Sequence, residues 1–383
     1  MAGSKQHSTM EPMLITDPGG IAEIEDEWRE LAELRSNAFV SPEWFRSWWA
    51  HQRGSASALI VAVHRSGGAL AGVMPLVLDT SQRPHAIRFA GATLGDRFHP
   101  AAAVDEEGAV ASAAMRILEQ QGLDRHLLLL ENIDPERSWW REMQAASLRR
   151  RAAVKQQQTA LTYIPLEGLD WEGYVASRSK NFRRHLRRRE RALRRDHRVH
   201  LHVPTEASLE ADLDRFFDLH ALRWRERGRS SLEAEGAKEV LRSFAAEAQR
   251  RGWLRLRLLE VDGAAVAAFL GWRLGDVFAF YQQGFDPAWS RRSVGVVIAA
   301  VTIREALEEG ANEFDFLLGT EEYKSSFTTT ARPGATIVLT RAMHPTRLLI
   351  AGEARARRAI AGRPALGRVV RSLARLVPTP RRS

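Results

Sequence analysis

The 383-residue chain contains no cysteine, and only five lysines stand against 51 arginines. Without cysteine, the sequence excludes disulfides, a cysteine nucleophile, thiolate zinc sites and iron–sulfur clusters. Its longest uncharged stretch, Ser66 to Leu78, has 13 residues, whereas a membrane-spanning helix requires ~20. Residues 1–10 are polar and lack the apolar segment of a secretory signal. The expected compartment is therefore the cytoplasm.

The net charge of +9 is concentrated in two segments of an otherwise mildly acidic chain. Residues 178–198 contain 11 basic and 2 acidic residues, and residues 341–383 contain 11 arginines and one glutamate. Apolar residues recur with helical spacing across the first segment, which predicts a basic helix over 171–196. Its arginines are interpreted as a solvated face, as a groove for an anionic acceptor such as a nucleotide sugar or lipid-linked diphosphate, or as a nucleic-acid surface. The tail 342–383 is interpreted as an amphipathic lipid contact, as a partner contact or as a disordered segment.

Hydrophobic periodicity predicts the same order of elements twice along the chain. Each half contains a β-hairpin, a further strand, a helix and another strand, and the hairpins are predicted at 58–78 and 254–274. We therefore predict an α+β fold of two tandem units, each with a mixed, mostly antiparallel sheet flanked by helices. The units are predicted at residues 12–157 and 158–341.

A loop between a predicted strand and a predicted helix has the composition of a diphosphate site. The strand ends at Phe285, and a helix begins near Val294. N–H groups at a helix N-terminus lack an intrahelical acceptor, and the helix dipole favours an anion there. A glycine in the first turn permits close backbone approach, although it is equally suited to packing the helix on its sheet. The predicted cofactor-binding residues are Arg291, Arg292, Ser293, Val294, Gly295 and Val296.

Polar residues near the last predicted strand suggest an acceptor site. Thr320 is a predicted N-cap, and acidic residues in the first turn of the following helix are alternatively dipole partners. A carboxylate, a phenol and an amine beside a diphosphate site would position an acceptor and move its proton. The acceptor-side candidates are Tyr281, Asp315, Glu321, Tyr323 and Lys324, and the sequence does not assign the general base among them.

The order of hairpin, strand, Arg-x-x-Gly loop, helix and strand resembles that of the GNAT acyltransferases. Residues 292–297 match their coenzyme A loop, except that Val297 replaces a small residue. The chain also resembles the CelD-type GNAT proteins associated with bacterial cellulose and exopolysaccharide synthesis. That resemblance is carried by Ser41-Pro42-Glu43-Trp44, Arg183-Arg184, Arg223-Trp224, Phe285-Asp286-Pro287 and Tyr323-Lys324. The FemAB-type aminoacyl transferases share the basic helix and the late aromatic–Lys element.

These resemblances imply two GNAT-like units, of which the first is degenerate and the second is catalytic. The implied reaction is acyl transfer from acyl-CoA, first of all acetyl-CoA, to an amine or hydroxyl of a sugar or envelope precursor. The alternatives are a FemAB-like transferase that uses aminoacyl-tRNA and a non-catalytic binding protein with the same fold. No metal is implied, and the basic tail would allow peripheral contact with the inner membrane face. The predicted substrate contacts are Arg183, Arg184, Arg223, Trp224 and Gln282.

Overall fold

The computed structural model describes residues 10–147, 151–225, 228, 230–319 and 322–341. The predictions for Glu321 and for the tail 342–383 therefore lie outside the described residues. The described residues form two compact units, one containing those up to Thr159 together with residues 333–341, and the other running from Ala160 to Arg332. We expected the second unit to extend to residue 341. The final strand instead pairs with a strand of the first unit from Ala335 onward, because its alternating apolar side chains complete that sheet.

Within its described residues, the first unit contains four α-helices and seven strands, which pair in a mixed antiparallel and parallel arrangement. Its helices are α1 (Glu25–Leu34), α2 (Pro42–Gln52), α3 (Glu107–Gln120) and α4 (Ser138–Ser147). Its strands are β1 (Met10–Ile15), β2 (Ser57–Arg65), β3 (Leu70–Asp79), β4 (Ala86–Phe89), β5 (Ala101–Ala102), β6 (Leu127–Ile133) and part of β13 (Ala331–Arg341). The strand order is β1-β2-β3-β4-β6-β13, and the short β5 also pairs with β3.

The second unit repeats this arrangement with additional helices. Its helices are α5 (Trp171–Ser177), α6 (Lys180–Asp196), α7 (Leu209–Trp224), α8 (Ala237–Arg250), α9 (Val294–Glu308) and α10 (Glu322–Phe327). Its strands are part of β7 (Arg151–Pro165) together with β8 (Val199–His202), β9 (Leu254–Val261), β10 (Ala264–Leu274), β11 (Val277–Phe285) and β12 (Glu313–Leu318). The strand order is β8-β9-β10-β11-β12-β7.

The strands of the two units share one topology, which confirms the predicted α+β class. In the first, β4 and β6 are parallel over three residue pairs and the other neighbours are antiparallel. In the second, β11 and β12 are parallel over three pairs and the other neighbours are antiparallel. A helix connects the parallel strands in each unit, α3 in the first and α9 in the second. Both predicted hairpins are confirmed by the β2–β3 and β9–β10 pairs.

The basic helix predicted over 171–196 is two separate helices, α5 and α6, so the prediction of one continuous helix was wrong. Arg178 and Ser179 are extended, and the Ser179 hydroxyl accepts a hydrogen bond from Phe182 N at 3.2 Å. A serine hydroxyl that satisfies an otherwise free amide starts a new helix, so α6 leaves α5 in a different direction. None of the helices in the described ranges is long and apolar enough to cross a bilayer.

Aromatic packing fixes the position of β11 and β12 in the second unit. Phe278, Phe280, Phe314 and Phe316 are buried together with apolar side chains of α5, α6 and α9. Burying one such ring stabilises the fold by about 2–3 kcal/mol. On the opposite face, a Cβ at Gly284 would overlap the backbone of α7 at His220. The absence of a side chain at Gly284 therefore lets α7 lie directly on β11.

Candidate active site

Strands β11 and β12 are neighbours only at their beginnings. In the described part of both strands, their register ends at Ala279 and Asp315. Beyond that point β11 remains paired with β10, and β12 remains paired with β7. Because the two strands follow different neighbours, they separate between residues 280–285 and residues 316–318. We call this region the β11–β12 fork.

An irregularity in each strand accompanies the fork. In β11, Gln282 pairs with Leu270 and Phe280 pairs with Gly271, so Tyr281 is the extra residue of a β-bulge. In β12, Leu317 has φ +57°, and its amide donates to Asp315 Oδ1 at 2.7 Å. A bulge bends its strand and increases the local twist, which directs the two strands apart. Tyr281 is mostly buried, and its ring lies 4.9 Å from that of Trp272.

Helix α9 begins at Val294, as predicted, and a connection of residues 286–293 joins it to the end of β11. Ser293 is in the left-handed region, and its carbonyl accepts hydrogen bonds from Val296 N at 2.9 Å and Val297 N at 3.1 Å. The amides of Val294 and Gly295 precede these bonds and have no acceptor within the helix. This first turn supplies the oriented N–H groups and the positive dipole end that suit a diphosphate.

Gly295 also serves the packing role that we raised as the alternative. Its carbonyl accepts a hydrogen bond from Gln283 Nε2 at 2.8 Å, and a Cβ at Gly295 would stand 2.5 Å from the same nitrogen. The ring of Phe285 would be 3.2 Å from that Cβ. Gly295 thus lets the first turn of α9 pack against β11. The same close packing places the free amides of that turn at the end of β11.

The two arginines predicted to bind the diphosphate have different surroundings. Arg291 is exposed, whereas Arg292 Nη1 donates to Asp196 Oδ2 at 2.6 Å. Hydrogen bonds from Arg195 and Arg292 lower the pKa of the exposed Asp196 carboxyl to about 2. Asp196 remains ionised under ordinary conditions, so it competes with any ligand phosphate for Arg292.

Replacing Asp196 with asparagine is therefore expected to increase the affinity for coenzyme A. An exposed ion pair is weak, so we expect an increase of about two- to five-fold. Isothermal titration of the variant with coenzyme A measures this change. The control is Asp214→Asn, which breaks an exposed pair with Arg242 on other helices. Equal affinity in the two variants would show that Arg292 does not reach the ligand.

Arg223 extends from α7 to the fork. Its side chain is 7% exposed, and Nη1 donates to the Gln283 carbonyl at 2.9 Å. The guanidinium lies 5.7 Å from the ring centre of Phe285 and 5.8 Å from that of Tyr323, which stabilises the cation by contact with aromatic faces. Its Nε is buried without a hydrogen-bond partner among the described residues. The structure thus brings together the predicted residues Arg223 and Tyr323.

The acceptor-side candidates Lys324 and Asp315 are buried and bonded to protein groups. Lys324 is 4% exposed, and its ammonium donates to the carbonyls of Phe316 and Leu318 at 3.1 Å and of Gly319 at 3.4 Å. Asp315 is fully buried and lies 3.4 Å from Arg332 Nη2. These bonds hold the end of β12 in place, so the geometry favours positioning roles for both residues.

His220 is a residue of the site that the sequence reasoning missed. It is 3% exposed, and its Nε2 lies 3.3 Å from Gln282 Oε1 and 3.5 Å from Ser230 Oγ. Burial, and next to it the charges of Arg223 and Lys238, lowers its pKa to about 4, although the bond with Gln282 acts in the opposite direction. The sequence did contain one indication of this role: His220 is three residues before Arg223, which places both side chains on one face of α7.

The low pKa of His220 predicts an acid-sensitive fold. Between its ordinary value of 6.5 and about 4, the unfolded chain binds a proton that the folded chain does not. The free energy of unfolding therefore decreases as the pH is lowered through this window, by about 3 kcal/mol in total for this group. His220→Gln should show a smaller fall between pH 6.5 and 4 in urea melts than the wild type. The exposed control His51→Gln should follow the wild type, and identical profiles for both variants would contradict the assignment.

The remaining predicted substrate contacts are divided between two places. Trp224 and Gln282 both adjoin His220: the Trp224 ring is 5.9 Å from it, and Gln282 is its hydrogen-bond neighbour. Arg183 and Arg184 lie instead on α6. Arg183 donates to the Ala176 carbonyl at 2.8 Å, and Arg184 donates to Asn181 Oδ1 at 3.0 Å. The described contacts do not connect these two arginines to the fork.

The corresponding helix of the first unit begins in an acidic environment. Glu107 at the start of α3 is buried and lies 2.7 Å from Arg137 Nη2. A Cβ at Gly108 would overlap the carboxylate of Glu142. Two carboxylates thus lie at the first turn of α3, and that of Glu107 lies within ion-pair distance of both Arg137 and Arg35.

Comparison with known proteins finds a family model that matches the part of the chain containing this site. The profile described as "Acetyltransferase (GNAT) domain" matches residues 180–325, which include α6, the fork and the start of α9. Residues 180–325, within the second unit, are thus similar to GNAT-type acetyltransferase domains. The comparison with curated proteins found no match.

Solved structures are similar to this chain over most of its length. FemX aligns with a TM-score of 0.59 at 9% identity, over 85% of this chain and 96% of FemX. The C-terminal domain of a putative lysylphosphatidylglycerol synthetase from Agrobacterium fabrum has a TM-score of 0.53 at 13% identity, over 83% and 92%. L-PGS from Bacillus licheniformis has a TM-score of 0.52 at 13% identity, over 88% and 96%. At such low identity, the similarity concerns the fold.

Proposed function

We propose that the second unit transfers an acyl group from acyl-CoA to an amine or hydroxyl acceptor. The observation that carries this proposal is the junction of the β11–β12 fork with the first turn of α9, inside the segment matched by the GNAT profile. The amides of Val294 and Gly295, with Arg291 and Arg292, would hold the diphosphate. The pantetheine arm would lie along the strand edge that the fork exposes and extend toward Arg223 and Tyr323.

The reaction is direct transfer between two bound substrates. The acceptor nitrogen or oxygen attacks the thioester carbonyl carbon, the carbon–sulfur bond breaks, and the acceptor loses a proton while the thiolate gains one. Tyr323 is half-buried beside the Arg223 guanidinium, and we assign it as the proton donor to the thiolate. Tyr281, Asp315 and Lys324 are more deeply buried, so we place them in the structural support of the fork.

The proposed acceptor is a sugar or an envelope or exopolysaccharide precursor, following the CelD-type resemblance of the sequence. A second candidate reaction is aminoacyl transfer from aminoacyl-tRNA, following the FemAB-type resemblance of the basic helix and the late aromatic–Lys element. The two proposals use the same fork but differ in the donor that must bind beside α9.

Thermal denaturation distinguishes these proposals. Coenzyme A at a hundredfold excess over its dissociation constant should stabilise the protein by about 2.7 kcal/mol. Stabilisation by acetyl-CoA that is lost in Arg292→Ala, with an unchanged melting temperature without ligand, would support the acyl-CoA proposal. Retention on tRNA without a response to coenzyme A would support the aminoacyl-tRNA proposal. A response to neither would indicate a binding protein without this chemistry.

A further inference from the structure

Helix α6 carries a continuous row of cations along one side. Its residues follow the i, i+3, i+4 spacing that aligns side chains along a helix face. They line an elongated surface concavity of about 690 Å³ that also includes Lys180 and Ala192. We call this set the α6 stripe: Arg183, Arg184, Arg187, Arg188, Arg191 and Arg195.

The charges of the α6 stripe are mostly not neutralised within the protein. Among the described residues, Arg187 lies 3.8 Å from the exposed Glu172, and Arg195 pairs with the adjacent Asp196. The other four stripe arginines have no carboxylate within ion-pair distance in the described part of the chain. Partial desolvation, followed by the charges of Arg188, Arg189 and Arg184, lowers the pKa of His185, which is consistent with a strongly positive surface.

The opposite side of α6 is fixed in the core, so the stripe faces outward permanently. Leu186 and Leu193 are buried, and the Phe182 ring packs 5.1 Å from that of Phe327. With 17 residues, α6 is about 25 Å long, which places the arginine side chains along a straight, outward-facing row. The protein thus presents a rigid linear array of guanidinium groups.

The composition of this array favours one kind of anionic partner. A single-strand nucleic-acid site combines cations with exposed aromatic rings for base stacking, but Phe182 is directed to the core. Side chains cannot read the bases in the deep, narrow major groove of an RNA duplex, so a duplex would offer the stripe no base contacts there. A bilayer of anionic lipids presents phosphate groups over a broad plane and requires no base-reading groups. We infer that the α6 stripe binds the surface of an anionic lipid bilayer through its phosphate groups, independently of the transferase proposal.

Cosedimentation with vesicles tests this inference on the full chain. The probe is a vesicle of phosphatidylcholine with about one third phosphatidylglycerol, compared with phosphatidylcholine alone. Each arginine near an anionic surface contributes about five-fold to the partition coefficient. The triple variant Arg187→Gln, Arg188→Gln, Arg191→Gln should therefore bind the anionic vesicles about 100-fold more weakly, and the wild type should release as salt is raised.

The matched control removes the same number of positive charges elsewhere. Arg116→Gln, Arg125→Gln, Arg141→Gln changes three exposed arginines of the first unit and should reduce binding far less. Circular dichroism and melting temperature establish that both triple variants are folded. Equal losses in the two variants would attribute binding to net charge and overturn the inference. So would wild-type binding to polyuridylate without binding to the anionic vesicles.

Discussion

Replacement of Gly295 by valine is expected to reduce the affinity for coenzyme A by at least about 100-fold. A Cβ at this position stands 2.5 Å from Gln283 Nε2 and 3.2 Å from the Phe285 ring, so the Gln283 amide that holds the Gly295 carbonyl, or the first turn of α9 itself, must shift. That movement displaces the amides of Val294 and Gly295 from the diphosphate. Charge-assisted hydrogen bonds contribute about 1.5–3 kcal/mol each, so losing their geometry removes most of the binding free energy of this group.

Isothermal titration with coenzyme A measures this loss, and a melting curve verifies the fold. Gly67→Ala is the control, because a Cβ at Gly67 meets no atom within 4 Å and its φ is not positive. A graded series from alanine to valine at Gly295 should lower affinity in proportion to side-chain size. An unchanged dissociation constant for Gly295→Val would show that this turn does not bind the cofactor.

Replacement of Lys324 by methionine is expected to lower kcat by about 100-fold and the free energy of unfolding by about 2–3 kcal/mol. The variant retains the approximate shape of the side chain but leaves the carbonyls of Phe316, Leu318 and Gly319 without the ammonium group that they contact. Buried acceptors that lose their donor destabilise a protein by about 1–3 kcal/mol each. The end of β12 should then relax, and the acyl group should be poorly positioned.

The pH dependence of the remaining activity distinguishes a positioning role from proton transfer. If Lys324 holds the fork, Lys324→Met should reduce kcat at all pH values without changing the shape of the profile. Loss of one limb of the profile would instead identify the amine as an acid or base in the reaction. Lys238→Met is the matched control, because Lys238 is an exposed residue of α8 that contacts the Phe217 ring.

Local patterns were sufficient to predict much of the second unit. Alternating apolar residues and the Asp262-Gly263 turn predicted the β9–β10 hairpin, and the structure confirms it. The apolar segment after Ser293 predicted α9, which extends from Val294 to Glu308. These elements were predictable because their signals lie within a few adjacent residues. The break before α6 also had a local signal in Ser179, whose capping role the apolar periodicity concealed.

The candidate site was less predictable because its geometry depends on distant partners. The fork arises from the different neighbours of β11 and β12, which no local pattern specifies. The contact of Lys324 in α10 with the carbonyls at the end of β12 and the pairing of Arg292 with Asp196 both require the folded chain. His220 was missed for the same reason, since only tertiary packing places it beside Gln282. The residue types in the sequence thus suggested the chemistry, whereas the burial and partners of each side chain became known only from the structure.

A crystal structure with a non-reactive thioether analogue of acetyl-CoA tests the central claim most directly. The account predicts a diphosphate against the amides of Val294 and Gly295, with the pantetheine arm between β11 and β12 and the sulfur directed toward Tyr323. A diphosphate at the start of α3, or an analogue bound away from the β11–β12 fork, would contradict the account.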